Sequence, residues 1–136
     1  FDVGHGAGSF SFDVAENALR QGFEPGTISS DLHKYNVNGP VYSLLETVSK
    51  FMHLGMSLNH AIGKVTKEPA RAMGMLGDIG TLQNGAVGDL TLFTVEEGEA
   101  GFRDAHGEER TGDRRLKLVS TVRAGRVYAP GVFEAH

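Results

Sequence analysis

The sequence contains no cysteine and no tryptophan, and only 4 of its 136 residues are proline. The absence of cysteine excludes a disulfide scaffold, a thiolate metal site and a cysteine nucleophile. No apolar run approaches the roughly 20 residues that span a bilayer, and no segment resembles a signal peptide. We therefore expect no membrane partner and a cytoplasmic location. The 13 basic and 17 acidic residues give a net charge of −4 without a basic stripe, which disfavours a nucleic-acid partner.

Glycine is the abundant residue: 19 glycines are present, about twice the usual share of ~7 %. They are spread without a regular period, which indicates many tight turns at the ends of helices and strands. The length fits one ordinary domain. Because the chain opens at Phe1 rather than at methionine, we expect a processed, trimmed or partial chain.

The first half of the chain alternates short β-prone segments with helical spacing. The predicted elements are a strand at residues 1–4, a helix within 9–22, a strand at 27–30, a helix from Pro40 carrying apolar residues through 52, a helix capped by Ser57, and a short helix at 68–73. Alternation of strands and helices favours an α/β fold with a parallel sheet. Two strands cannot form such a sheet alone, so the sequence predicts the closing portion of a larger domain.

The periodicity changes near Gly77, where alternating segments replace helical ones. Strands are predicted at residues 87–95, 116–123 and 126–128, with a tight hairpin at Ala124 and Gly125. Residues 96–115 are charged and glycine-rich, which predicts a long surface excursion with a brief strand at Phe102. We therefore expect helices and parallel strands in residues 1–77, a β layer in 78–130, and a tail at 131–136.

Two predicted strand ends carry residues suited to chemistry. His5 follows the first strand within a glycine-rich loop, and Asp31 follows the second. Ligands bind at the carboxyl ends of parallel strands, where a carboxylate can bind a metal ion or move a proton and an imidazole can contact substrate. Simple loop roles remain open for both residues. His33 is as compatible with a surface position as with a supporting one.

Several signatures of self-contained sites are missing. The sequence has no Gly-x-x-x-x-Gly-Lys-Ser/Thr loop, no His-x-His and no His-Glu-x-x-His. The loop at residues 4–8 has the wrong spacing for a dinucleotide-binding loop. We therefore expect that the chain cannot complete a metal site with its own residues.

Three segments together resemble the C-terminal part of the amidohydrolase superfamily, the metal-dependent (β/α)8-barrel hydrolases. Ser-Ser-Asp-Leu-His at 29–33 resembles the end of the eighth barrel strand, and Thr-Lys-Glu-Pro-Ala at 66–70 resembles the helix after the barrel. The segment 80–93, with Gly-Asp-Leu at 88–90, resembles the entry into a small β-sandwich. The opening Asp-Val-Gly-His-Gly is most similar to the seventh strand of the deacetylase, dihydroorotase-like branch.

This resemblance implies strands seven and eight and the last helices of a TIM-type barrel, followed by part of a β-sandwich. It implies that Asp31 is both a metal ligand and a catalytic proton carrier, that Gly6 and His33 bind the substrate, and that His5 either contacts the substrate or supports the residues that do. It further implies a zinc-dependent amidohydrolase or deacetylase with two zinc ions, or other divalent metals, acting on a small acylated or cyclic amide substrate. The family's other metal ligands would lie upstream of Phe1.

Three hypotheses remain open from the sequence. The first is a hydrolase fragment, inactive alone, whose barrel is completed by an upstream segment or a companion chain; a homo-oligomer is also compatible with it. The second is a barrel relative without metal that serves as a scaffold or assembly subunit. The third is a free-standing binding module of 136 residues.

Overall fold

The computed structural model describes residues 1–131. Its elements, in chain order, are β1 (Asp2–Gly4), α1 (Phe12–Arg20), β2 (Thr27–Ser29), α2 (Leu44–His53), α3 (Leu58–Val65), α4 (Lys67–Ala72), β3 (Leu90–Arg103), β4 (Glu109–Arg123) and β5 (Arg126–Tyr128). The mixture agrees with the predicted α/β class. No helix within these residues is long and apolar enough to cross a membrane. The predicted tail at 131–136 lies outside the described residues except for Gly131.

The strands β1 and β2 pair in parallel, with Val3 opposite Ile28. Successive side chains of a strand point to opposite faces, so this small sheet has two different sides. Ile28 is buried and Val3 packs beside the hydrophobic core. On the other face, Asp2 accepts hydrogen bonds of 2.6 Å from the hydroxyls of Thr27 and Ser29. The sheet therefore has one apolar face on the core and one polar face.

The hydrophobic core joins both halves of the chain. It consists of Phe10, Phe12, Ile28, Val48, Phe51, Met52, Met56, Ala61, Ala100, Phe102 and Leu116. The last three belong to β3 and β4, so this cluster extends across the predicted division at Gly77. Leu90, Leu92 and Leu118, nearer the other end of the same strands, are exposed.

The strands β3, β4 and β5 form an antiparallel sheet in that order. The predicted surface excursion at residues 96–115 is wrong, because β3 continues to Arg103 and β4 begins at Glu109. The resulting ribbon places Phe102 in the core. The predicted hairpin between β4 and β5 is present: Ala124 and Gly125 both have the positive φ angles that such a turn requires.

The helix boundaries follow local capping. The side chains of Ser11, Ser43 and Ser57 each accept a hydrogen bond from a backbone N–H in the first turn of α1, α2 and α3. The cap at Ser57 was predicted. The predicted start of α2 at Pro40 is wrong, because Tyr42 lies in the left-handed region at φ 57° and Ser43 is extended, so helical geometry begins only at Leu44.

Candidate active site

Asp31 lies just beyond the carboxyl end of β2 and faces the loop that follows β1. The pairing of the two strands continues past their ends, since the N–H groups of His5 and Gly6 donate to the carbonyls of Ser29 and Ser30 at 3.2 and 3.1 Å. Gly6 is consequently held beside the Asp31 side chain: a Cβ atom on Gly6 would lie 2.7 Å from Asp31 Oδ2. Gly6 also has a φ of +55°, which favours glycine. The structure thus places two predicted site residues side by side.

The Asp31 carboxylate is on the accessible side of this loop pair. Asp31 is exposed, with a φ of 49°, and within residues 1–131 its side-chain oxygens accept no hydrogen bond. Its backbone, by contrast, is fixed, because the buried Asn36 side chain donates to the Asp31 carbonyl at 2.9 Å. A carboxylate presented in this way is available to bind a cation or to accept a proton.

His5 is fully buried, and both of its ring nitrogens have partners within the chain. Nδ1 lies 2.9 Å from the Gly6 carbonyl oxygen, and Nε2 lies 2.9 Å from Lys50 Nζ. A lysine ammonium only donates hydrogen bonds and a carbonyl only accepts them, so the network assigns the proton to Nδ1 and the lone pair to Nε2. The ring also stacks on Phe10 at 4.8 Å between centroids. This geometry favours a supporting role behind Gly6 over direct contact with substrate.

The surroundings of His5 disfavour its charged form. Burial is the main cause that lowers the pKa of His5, the positive charge of Lys50 lowers it further, and the hydrogen bond to the Gly6 carbonyl opposes them. Burial likewise lowers the pKa of Lys50 to about 8, although Glu46 and Asp104 oppose this shift. The pKa of Glu46 is raised by its own burial.

Lys50 is a functional candidate that the sequence analysis missed. Its ammonium group donates to the Pro40 carbonyl at 2.7 Å as well as contacting His5. Lys50 therefore joins α2 to the ends of two loops, one after each strand of the small sheet. The apolar spacing of α2 gave no signal for this role, because a lysine beside an apolar helical face is ordinarily in solvent.

His33 occupies the same loop as Asp31, but within residues 1–131 it forms hydrogen bonds with Asn36 and Tyr35 and not with Asp31. Its N–H donates to Asn36 Oδ1 at 2.8 Å, so Asn36 links the backbones of His33 and Asp31. The imidazole is exposed and its Nδ1 accepts from the Tyr35 N–H at 3.2 Å. The substrate-binding role of His33 stays a prediction.

Metal binding by Asp31 would require partners. Among residues 1–131, no group of three or more His, Cys, Asp or Glu side chains could hold a metal ion. His53 and His60 take other positions: His53 packs against the rings of Phe12 and Phe102, and His60 lies 2.9 Å from Glu24. Asp31 is therefore one accessible oxygen donor rather than a closed site.

Comparison with known proteins gives one consistent family. The model of the amidohydrolase family matches residues 11–126. A deacetylase from Enterococcus faecalis is 40 % identical over 129 residues, covering 94 % of this chain and 35 % of that protein. The chain thus spans about a third of the length of this curated relative.

Two solved structures have the same fold over nearly the whole chain. A crystal structure described as an adenine deaminase matches with a TM-score of 0.88 and 40 % identity, covering 95 % of this chain and 35 % of the other. A dihydroorotase structure matches with a TM-score of 0.82 and 31 % identity, covering 94 % of this chain and 34 % of the other. These similarities agree with the resemblance identified in the sequence.

Proposed function

Because this chain belongs to the amidohydrolase family, we propose that it forms the C-terminal part of a metal-dependent hydrolase. The bond cleaved is an amide, a cyclic amide or an ester in a small molecule, with removal of an acyl group as the favoured reaction. Support for deacylation comes from the deacetylase of Enterococcus faecalis, and support for cyclic amides comes from the dihydroorotase structure.

The observation that carries this proposal is the position of Asp31. It follows a parallel strand at its carboxyl end, which is where enzymes of parallel α/β architecture bind substrate. Its carboxylate is accessible, and Gly6 beside it has no side chain to obstruct approach. The Asp31 side chain lies on the polar side of β1 and β2, because Asp31, Ser29 and Asp2 all lie within 4.0 Å of where a Cβ atom on Gly4 would be.

Asp31 fits a metal ion as a single ligand. Its oxygens are of the kind that divalent cations bind, and no hydrogen bond within residues 1–131 occupies them. When bound, zinc supplies a nucleophile by lowering the pKa of its water to about 7. The remaining ligands would come from the rest of the assembled protein, which by the family resemblance holds two zinc ions.

The chain's own residues would then perform three tasks. An Asp31 carboxylate oxygen accepts a proton from the attacking water and delivers it to the leaving group. Gly6 leaves room for the substrate beside that carboxylate. His5 holds the Gly6 carbonyl through its Nδ1–H, and His33 lies on the loop rim where a substrate can reach it.

The proposed architecture follows the same family. Residues 1–77 would supply strands seven and eight of a TIM-type barrel and the helices after them, and residues 78–130 would supply strands of a β-sandwich. An upstream segment of the same protein or a companion chain would complete the barrel. The assembled protein would be cytoplasmic, and a homo-oligomer is compatible with this architecture. The shared core at Phe102 would then be the contact between barrel helices and sandwich.

Substitution Asp31→Asn in the full-length protein tests this function. We expect turnover of N-acetyl, O-acetyl or cyclic amide substrates to fall by about three orders of magnitude or more, because the substitution removes the base and weakens a metal contact. The measurements are initial rates with a substrate panel and metal content by elemental analysis. Asp113→Asn is the matched control, since Asp113 is an exposed residue of β4, which belongs to a different sheet from β1 and β2.

Two outcomes would contradict the proposal. Near-normal turnover with full metal occupancy in Asp31→Asn would remove Asp31 from the mechanism. A full-length wild-type protein that binds no metal and hydrolyses none of these substrates would favour the scaffold hypothesis instead.

A further inference from the structure

Lys50 is buried where three separate segments of the chain converge. Its Nζ atom lies 2.9 Å from His5 Nε2 and 2.7 Å from the Pro40 carbonyl oxygen. His5 belongs to the loop after β1, Pro40 belongs to the loop after β2, and Lys50 itself is in the last turn of α2. One ammonium group therefore fixes the two loops that carry Gly6 and Asp31 to a single helix.

The contact with Lys50 determines the form of the His5 ring. With Nε2 accepting from the ammonium, the ring proton must be on Nδ1, which then donates to the Gly6 carbonyl at 2.9 Å. The Gly6 N–H is also held, because it donates to the Ser30 carbonyl at 3.1 Å. Both polar groups of the Gly6 backbone are thus anchored, beside Asp31 Oδ2 at a distance that leaves no room for a Cβ atom.

We propose that Lys50 is a positioning residue of the active site: through the His5 ring it fixes the Gly6 backbone against the Asp31 carboxylate. The proposal rests on the proposed function in giving Asp31 a catalytic role. Lys50 does not touch the reacting atoms. Its effect passes from Nζ to His5, from His5 to the Gly6 carbonyl, and from Gly6 to Asp31.

A structural role alone accounts poorly for a lysine at this point. A buried ammonium group loses hydration, a cost to folding that an apolar side chain of similar length would not carry. The two hydrogen bonds that Lys50 donates are what methionine could not provide. The two acceptors are the His5 ring and the Pro40 carbonyl, which belong to the loops of the proposed site.

The experiment compares Lys50→Met, Lys50→Arg and the control Ser49→Ala in the full-length protein. Ser49 is the neighbouring buried residue of α2, and its hydroxyl bonds the Leu116 N–H and the Leu45 carbonyl rather than His5. The first readout is the ¹⁵N spectrum of histidine-labelled protein, with the His5 signals identified by their loss in His5→Gln. The second is kcat and KM for the best substrate of the panel.

Wild type is expected to show the neutral Nδ1–H form of His5, and Ser49→Ala is expected to retain it. Lys50→Met should shift the His5 signals toward a mixture of tautomers and lower kcat by about 10- to 100-fold, the usual effect of removing a partner behind an active-site group, with little change in KM. Lys50→Arg, which retains hydrogen-bond donors, should restore part of the wild-type His5 signals and part of the wild-type kcat.

Three results would overturn the proposal. One is a wild-type His5 ring with its proton on Nε2 or on both nitrogens. The ¹⁵N spectrum of the wild type shows this even if Lys50→Met does not fold. Another is equal kcat and equal His5 signals in Lys50→Met and Ser49→Ala. The last is a Lys50→Arg variant no better than Lys50→Met. The failure of the proposed function is a separate outcome. If Lys50 controls the His5 tautomer but the protein has no hydrolase activity, the proposed function fails, and the catalytic part of this proposal fails with it. If only the tautomer effect is missing, the role of Asp31 stands.

Discussion

Gly6 is the residue at which backbone conformation and the proposed chemistry meet. Its φ of +55° lies in the left-handed region, and an added Cβ atom would lie 2.7 Å from Asp31 Oδ2. We expect Gly6→Ala to cost about 1–2 kcal/mol in free energy of unfolding from the backbone alone. It should also displace the Asp31 carboxylate, lowering both metal occupancy and turnover of the full-length protein.

Gly8→Ala is the matched control for that prediction. Gly8 belongs to the same loop, has open space around its Cα and lacks a left-handed φ. Thermal unfolding, elemental analysis and initial rates of the two variants form the comparison. If Gly6→Ala retains metal and turnover at the level of Gly8→Ala, the close approach of Gly6 to Asp31 has no functional meaning.

The sequence predicted some of these residues and not others, for a physical reason. Asp31 and His5 are each next to a short β-prone segment, and the ends of parallel strands lie at one edge of a sheet, so local pattern is enough to predict that these residues follow neighbouring strands. Lys50 lies in a helix whose apolar spacing was read correctly, but its burial depends on long-range contacts with His5 and Pro40. Helical periodicity does not predict such contacts.

At the scale of elements, the ribbon of β3 and β4 shows where the sequence analysis was wrong. The charges of residues 96–115 suggested a solvated loop, yet many of them face each other across the strands. Glu96 pairs with Arg115 and Glu97 with Arg114 in the register, and Lys117 forms a 2.8 Å ion pair with Glu96. Opposite charges that face each other on neighbouring strands stabilise a ribbon. The pattern along a single strand does not reveal which charges will face each other.

The ribbon is held to the helices at defined points. Asp104 accepts a hydrogen bond of 3.1 Å from the Phe12 N–H, and Arg110 forms ion pairs with Asp13 and Glu16 at 2.9 and 3.0 Å. Gly112 lies close to α2, since a Cβ atom on Gly112 would be 3.1 Å from His53 Nδ1. The part of the ribbon nearest its turn is therefore the part that joins the helical core.

Phe102→Ala tests this attachment. Phe102 is 2 % exposed and lies in the shared cluster, so its truncation should lower the free energy of unfolding by about 3–5 kcal/mol. Leu92→Ala on the same strand, where the side chain is 45 % exposed, should cost far less. Chemical denaturation of both variants measures the difference, and equal costs would mean that the ribbon is stable independently of the helices.

At the scale of the whole molecule, family-level features were easier to predict than boundaries. The resemblance rested on three segments with glycine, proline and aspartate at fixed spacing, and it is confirmed because residues 11–126 match the amidohydrolase family. The predicted division at Gly77 stays a prediction. It rests on a change of periodicity along the chain, whereas the core depends on which side chains pack together in space. Ala100, Phe102 and Leu116 belong to the same buried cluster as Phe12 and Phe51.

The last prediction concerns residues 1–136 prepared without the rest of the proposed enzyme. The sheet of β1 and β2 has two strands, and a two-stranded sheet is marginal in water unless other elements support it. Large apolar side chains such as Leu82 and Phe23 are also exposed in this chain, at 85 % and 61 %. We therefore expect the isolated chain to bind no stoichiometric zinc and to unfold with low cooperativity, whereas the full-length protein melts in a sharp transition. Calorimetry and zinc analysis of both preparations make the comparison, and a sharp two-state melt of a monomer of residues 1–136 would favour the free-standing module.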